Sequence, residues 1–216
     1  MNIYSSKMKD LIIECKGIKT DQYFIPPFEL REGEFVVVCL YSGPCFDEIK
    51  KQLTDILTGR VHRKNVKIYK HLTFAEPFAE SFFRRIFYPV TVGSYLKKNA
   101  DVNNPIVSKI FEIDTFTKKD KMKNLETSQK KRISLSAVFS RTKNIVFDMR
   151  GEGALQFTKT LELVKDEIKS EGAAILIDWV ADLRNDCSKF IAIEWLLDDE
   201  ELRKIRNGSV KLSQMY

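Results

Sequence analysis

The chain has 216 residues, 44% hydrophobic and 31% charged, which is the balance of an ordinary globular protein with ample material for one core. No run approaches the roughly 18 apolar residues of a membrane span, nothing at the N-terminus reads as a signal peptide, and four cysteines without metal-ligand spacing read as small core residues of a reducing cytoplasm. A formal net charge of +6 permits an anionic partner, including a membrane surface, without naming one.

In chain order, "LIIECKGI" (11–18) predicts a strand and "YFIPPFEL" (23–30) a second one. Pro26 and Pro27 cannot donate to a ladder, so the second is an edge or carries a bulge. After the turn "REGE" (31–34), the β-branched run "FVVVCL" (35–40) suits a strand buried on both faces, as in parallel sheets. Phe46, Ile49, Leu53, Ile56 and Leu57 then recur at helical spacing, and Gly59 closes the helix.

The middle of the chain is rich in aromatics over 74–90, followed by short helices between Ser94 and Lys121. Phe74, Phe78 and Phe82 are spaced to share one helix face, with Pro77 in its first turn and Phe83, Phe87 and Tyr88 beside it. That face is either the core of a helical subdomain or a groove for a partner helix. Residues 128–142 are helical, "NIVFD" (144–148) is a short buried strand ending on an acid, and 154–172 is a long amphipathic helix closed by Gly172. "AAILID" (173–178) is another apolar strand. A strand (189–196), an acidic helix (198–205) and a turn (206–209) complete the chain. The lysine-rich stretches 117–124 and 128–132 hold no aromatics to stack bases, so a solvated helical face is the better reading than a nucleic-acid site. Strands separated by helices give an α/β layered fold.

Taken in order, these pieces resemble the ATP-binding subunit of an ABC transporter over nearly the whole chain. "ELREGEFVVVCLYSGP" is similar to the family's approach to its phosphate loop. "LETSQKKRISLSAVFSRTKNIVFD" resembles its signature helix followed by an acidic strand. Leu125, Gln129, Arg132, Ile133 and Leu135 fall where that pattern wants them, as do Asp148 and Gly153. The resemblance implies a P-loop NTPase-like fold in a single domain spanning 1–216. It has a mostly parallel central sheet flanked by helices, an N-terminal antiparallel β part and a helical subdomain at roughly 75–127.

The family's chemistry, however, is missing at its key positions. A working phosphate loop needs glycines for close backbone approach, a lysine for the outer phosphates and a hydroxyl for magnesium. In the corresponding stretch Ser42, Gly43, Pro44, Phe46 and Asp47, only Gly43 survives; Phe46 stands in the lysine position and Asp47 in the hydroxyl position. These two changes move the site two units toward negative, each close charge pair being worth on the order of 4 kcal/mol at an effective dielectric of 20. Lys50, one turn on, is a possible substitute, although a solvated helix lysine is the better reading. Asp148 matches the magnesium-binding acid, but Met149 follows where a glutamate activates water, and a thioether cannot take that proton. Val180 replaces the histidine and Leu155 the dimer-loop aspartate. Glu126, Thr127 and Ser128, before Gln129, stand where the signature has a serine and two glycines.

The joint loss implies a pseudo-ATPase that keeps no ATP or magnesium unless the degenerate site still functions. Its expected role is a scaffold or coupling subunit at the inner face of the cytoplasmic membrane. There it would dock on a permease, as a homodimer or paired with an intact ATP-binding subunit. An active ATPase using Lys50 and Asp148, or a basic regulatory domain that binds nucleic acid, are the alternatives.

Overall fold

The computed structural model describes residues 9–40 and 45–206. The N-terminal part is antiparallel, as expected. Strand β1 (Leu11–Cys15) and the short β2 (Ile18–Lys19) precede β3 (Tyr23–Ile25) and β4 (Phe28–Arg31), which Pro26 and Pro27 separate. Because neither proline can donate, the chain changes sheets there: β4 pairs antiparallel with β1, whereas β3 pairs with β2.

The apolar run 35–40 becomes β5 (Phe35–Cys39), and the periodic segment after it becomes α1 (Phe46–Leu57). Two strands that the sequence did not announce follow. β6 (Val66–Ile68) completes the β4-β1-β6 sheet, and β7 (Thr73–Phe74) is a two-residue edge. Helices α2 (Phe82–Phe87), α3 (Val92–Asn99) and α4 (Pro105–Ile113) occupy the middle. Asn104 caps α4 by accepting from the Ile106 N–H, with Pro105 in the first position where its missing donor costs nothing. Then come α5 (Thr127–Phe139), β8 (Asn144–Phe147), α6 (Ala154–Ile168), β9 (Ala173–Asp178), β10 (Lys189–Ala192), β11 (Glu194–Trp195) and α7 (Asp199–Arg206).

The central sheet has the order β10-β5-β9-β8-β7, and every pair in it is parallel. Side chains alternate across it. Val36, Val38, Ile175 and Ile177 join α1 and the antiparallel strands in one core, while Phe35, Val37, Ala174 and Leu176 join α3 to α6 in a second.

Two expectations need correction. Phe74, Phe78 and Phe82 do not share a helix: Phe74 ends β7, Phe78 lies in an irregular stretch, and Phe82 opens α2. The Ala75 N–H extends the ladder to the Val146 carbonyl, and Pro77 disfavours a helical Glu76, so the segment stays extended. The tail strand 189–196 is also broken. Ile193 donates to the Cys39 carbonyl, after which β11 leaves the parallel sheet to pair with β3. The turn expected at 206–209 lies largely outside the described residues.

Candidate functional site

Parallel strands deliver their C-terminal ends to one edge of the sheet, which is where α/β folds place their ligands. Here β5, β8 and β9 bring Leu40, Asp148 and Asp178 to that edge, beside the start of α1. Of the residues singled out in the phosphate loop, Ser42, Gly43 and Pro44 lie outside the described residues. Phe46 and Asp47 open α1. Phe46 is buried, its ring 5.8 Å from that of Trp179, with the Lys50 ammonium 5.6 Å and the Arg150 guanidinium 5.5 Å from its centroid. Asp47 is exposed and pairs with Arg150 and, at 3.5 Å, with Lys50. The hydrogen bond and charge of Arg150 hold the Asp47 carboxyl below its usual value.

Asp148 sits at the centre. Its carboxylate is buried, and both oxygens accept from ammonium groups: Oδ1 from Lys131 Nζ at 2.6 Å and Oδ2 from Lys50 Nζ at 3.0 Å. Lys131 also donates to the Asp148 carbonyl at 3.1 Å. Burial alone would push this carboxyl up, but the two ammonium groups outweigh it and hold it below the carboxylate range. Asp178 is buried with no such partner among the described residues. Its Oδ2 accepts the Met149 N–H at 2.8 Å and its Oδ1 the Trp179 N–H at 2.7 Å, while burial raises its pKa. Three acids (Asp47, Asp148, Asp178) thus face three bases (Lys50, Lys131, Arg150), and the cluster is close to neutral.

Lys50 is therefore not the solvated helix lysine expected of it. It lies across the mouth of the cluster with its ammonium group committed to Asp148. The stretch 128–132 needs the same correction, because Ser128, Lys131 and Arg132 are buried. Arg132 is fully buried and makes a two-pronged pair with Asp114, at 2.7 and 2.6 Å, and further bonds to Gln156 and Thr160. The stretch 117–124 is mostly exposed, as expected, but it is turns and one short 3-10 turn, not a helical face. Lys131 is the member of the site that sequence reading missed. Its signal was available in "ISLSAVF", which places only apolar or small residues on every side of the helix. Such a helix is buried all round, so charges on it must be paired.

The remaining positions are structurally employed. Met149 packs in the second core, and Val180 is half-buried against it. Leu155 is exposed. Glu126 caps α5, its own N–H donating to Gln129 Oε1 at 3.1 Å in a capping box; Thr127 begins the helix and Ser128 is buried. The aromatic candidates are divided: Phe74 and Phe78 are half-buried against the two cores, and Phe82 is exposed. Phe74 and Phe78, with Arg84, Tyr95, Lys98 and Arg141, line an open cleft of about 530 Å³ between the segment after β7 and helices α3 and α5. Among the described residues no group of three or more His, Cys, Asp or Glu is placed to hold a metal ion, and no helix is long and apolar enough to cross a membrane.

No protein-family model matches the sequence, and neither does any curated protein. Solved structures do match over nearly the whole chain. An inward-facing ABC transporter assigned to the metal-chelate type superposes with a TM-score of 0.66 at 15% identity, covering 91% of this chain and 89% of that one. A nucleotide-free ATP-binding cassette from an ABC transporter gives 0.61 at 13%, covering 91% and 95%. The cbiO1 protein of Clostridium perfringens, part of the ABC transporter complex cbiONQ, gives 0.58 at 13%, covering 91% and 95%. At these identities the likeness is one of fold: the chain has the fold of ABC transporter ATP-binding subunits.

Proposed function

We propose that this chain is a non-catalytic member of the ATP-binding-subunit class, a scaffold or coupling subunit whose nucleotide site is closed by its own ion pairs. The observation that carries this reading is the double engagement of Asp148 by Lys131 and Lys50. A magnesium ion seeks carboxylate and phosphate oxygens and tolerates no ammonium group among its ligands. At Asp148 both oxygens already face ammonium groups, so the residues present do not fit the metal. The lysine position fits the nucleotide no better, since buried Phe46 offers the outer phosphates a ring where a cation is needed. Met149 offers no base. These features support a cassette that folds without nucleotide because its internal cations do the neutralising.

The partner in this reading is a membrane permease that places a short helix in the cleft lined by Phe74, Phe78 and Tyr95. That cleft borders α2, α3 and α5, and we take α2 to α4 as the helical subdomain of a single-domain chain. The similarity to a cassette that is part of a transporter complex supports this partner. Such a subunit would sit at the inner face of the membrane, with a second copy or an intact cassette beside it.

The test is a thermal melt with and without millimolar magnesium–ATP, together with a phosphate-release assay. A ligand at ~100 times its dissociation constant stabilises the folded state by about 2.7 kcal/mol, which a melt resolves easily. No shift and no phosphate above blank are expected. A clear shift abolished by Lys50→Ala would overturn the reading and favour an ATPase that uses Lys50 and Asp148.

A further inference from the structure

Helix α2 has no place in either core. It contributes no buried side chain, and all eight residues from Ser81 to Tyr88 are exposed. Within this one turn and a half lie Phe82, Phe83, Ile86, Phe87 and Tyr88, five of the eleven large hydrophobic side chains exposed among the described residues. Phe82 is 80% exposed and Tyr88 73%, so these rings project rather than line a crevice. Phe83 and Phe87, four residues apart, stack on each other with centroids 4.7 Å apart. Water-facing apolar surface of this density is unfavourable unless something covers it.

The charge around the rings is of one sign. Arg84 and Arg85 are exposed and interleaved with the aromatics. Lys123 reaches over to donate to the Arg85 carbonyl at 3.1 Å. Lys130 stands close enough that burial and then the Arg85 charge hold its pKa down. Residues 81–88 contain no acid. The nearest, Glu80, turns inward and accepts the Val90 N–H at 2.8 Å. Aromatic rings alternating with arginines on a convex, unpartnered helix match the boundary of a bilayer, where rings enter the headgroup zone and cations meet anionic lipid.

We propose that α2 and its flanking residues are a lipid-contact site by which this chain itself binds the surface of an anionic bilayer. A protein groove would have to surround all sides of a six-residue helix, whereas a bilayer surface accepts a ridge of rings directly. A helix so short is also unstable in isolation, and an interface that buries its rings would stabilise it. The rings lie outside the cleft proposed for a permease helix, with only Arg84 lining both, and the lipid contact needs neither permease nor nucleotide.

The experiment is cosedimentation of the purified full chain with phosphatidylcholine vesicles, with and without phosphatidylglycerol. Two variants accompany it: Phe83→Ser with Phe87→Ser, and Arg84→Glu with Arg85→Glu. Because none of these side chains is buried, both variants should keep the wild-type circular dichroism and melting temperature. The wild type should bind the anionic vesicles, bind neutral ones weakly and be released by high salt. Each variant should bind the anionic vesicles at least tenfold more weakly. Wild-type failure to bind anionic vesicles would overturn the proposal. So would undiminished binding by both variants, which would locate the attraction in the general positive charge. Size-exclusion chromatography that shows a wild-type dimer and a monomeric Phe83→Ser, Phe87→Ser variant would also overturn it, in favour of contact between two copies. A failure here leaves the permease reading untouched, and a positive magnesium–ATP melt leaves this one standing.

Discussion

The Lys131–Asp148 contact is a buried ion pair with both side chains about 95% or more shielded from water, so its energetics are those of an interior pair. Such a pair adds little or nothing over well-packed apolar residues of similar volume, but removing one partner costs about 3–5 kcal/mol where the other is left charged and unpaired. Because Asp148 keeps the Lys50 ammonium at 3.0 Å, Lys131→Met should lose stability toward the lower end of that range at pH 7. The pH dependence has a definite sign. The folded pKa of Asp148 is lowered, so its contribution is fully present above the ordinary value of about 3.9 and is lost as pH falls through the folded value. Without Lys131 only Lys50 is left to oppose burial, so the Asp148 carboxyl rises relative to the wild type and takes up its proton at a higher pH. The stability gap between the two proteins should narrow from pH 7 to pH 4.5. Asp178, whose raised pKa acts with the opposite sign, is common to both and largely cancels. Denaturant unfolding at the two pH values measures the gap, and an unchanged gap would refute the assignment. Adding Asp148→Asn to the variant should recover most of the loss at pH 7.

At the scale of elements, two turns make a controlled pair. Gly151 and Gly172 have nearly the same left-handed backbone, with φ of 82° and 83°. A Cβ on Gly151 would meet only the Thr127 methyl at 3.8 Å, whereas on Gly172 it would lie 2.2 Å from the Lys143 Cβ and 2.3 Å from its carbonyl oxygen. Gly151→Ala should lose about 1–2 kcal/mol, the cost of the conformation alone. Gly172→Ala should lose well beyond that, because the turn it occupies joins α6 to β9, where Gly172 accepts from the Gly33 N–H. Equal losses in chemical denaturation would contradict the geometry. The same scale shows what the sequence makes legible. The strands β5, β8 and β9 are continuous apolar runs that fit only a doubly covered sheet, and α1 carries its period openly. "VKI" and "TF" are too short to carry a period, so β6 and β7 exist only because neighbouring strands offer a ladder. The partners of Lys131 and Arg132 were unreadable for a related reason. Asp148 and Asp114 lie 17 and 18 residues away, far outside any helical register, so the pairing is a product of the tertiary fold.

On the scale of the whole molecule, the two cores lie on opposite faces of the parallel sheet, and that arrangement decides how the protein unfolds. Ile175 and Leu176 are consecutive, both fully buried, and point to opposite sides of β9. Ile175 belongs to the core shared by α1 and the antiparallel strands, Leu176 to the core shared by α3 to α6. β9 is hydrogen-bonded to both β5 and β8, so neither core can open without exposing backbone groups on which the other depends. Asp148, held by Lys50 of α1 and Lys131 of α5, adds a second tie between the layers, while Arg132 joins the end of α4 through Asp114 to Gln156 and Thr160 on α6 within the second. One cooperative transition is expected for the described body, despite its separate sheets. Ile175→Ala and Leu176→Ala should each lose about 2–5 kcal/mol, the range for deleting a buried aliphatic side chain into a partly relaxed cavity. Each should move one midpoint in urea, with far-UV circular dichroism and tryptophan fluorescence still coincident. Trp195 packs against the first core, whereas far-UV dichroism is dominated by the helices, many of them on the second. If Leu176→Ala instead separated the two signals into distinct transitions, the sheet would not couple the layers, and the helices of the second core would be an independently unfolding unit.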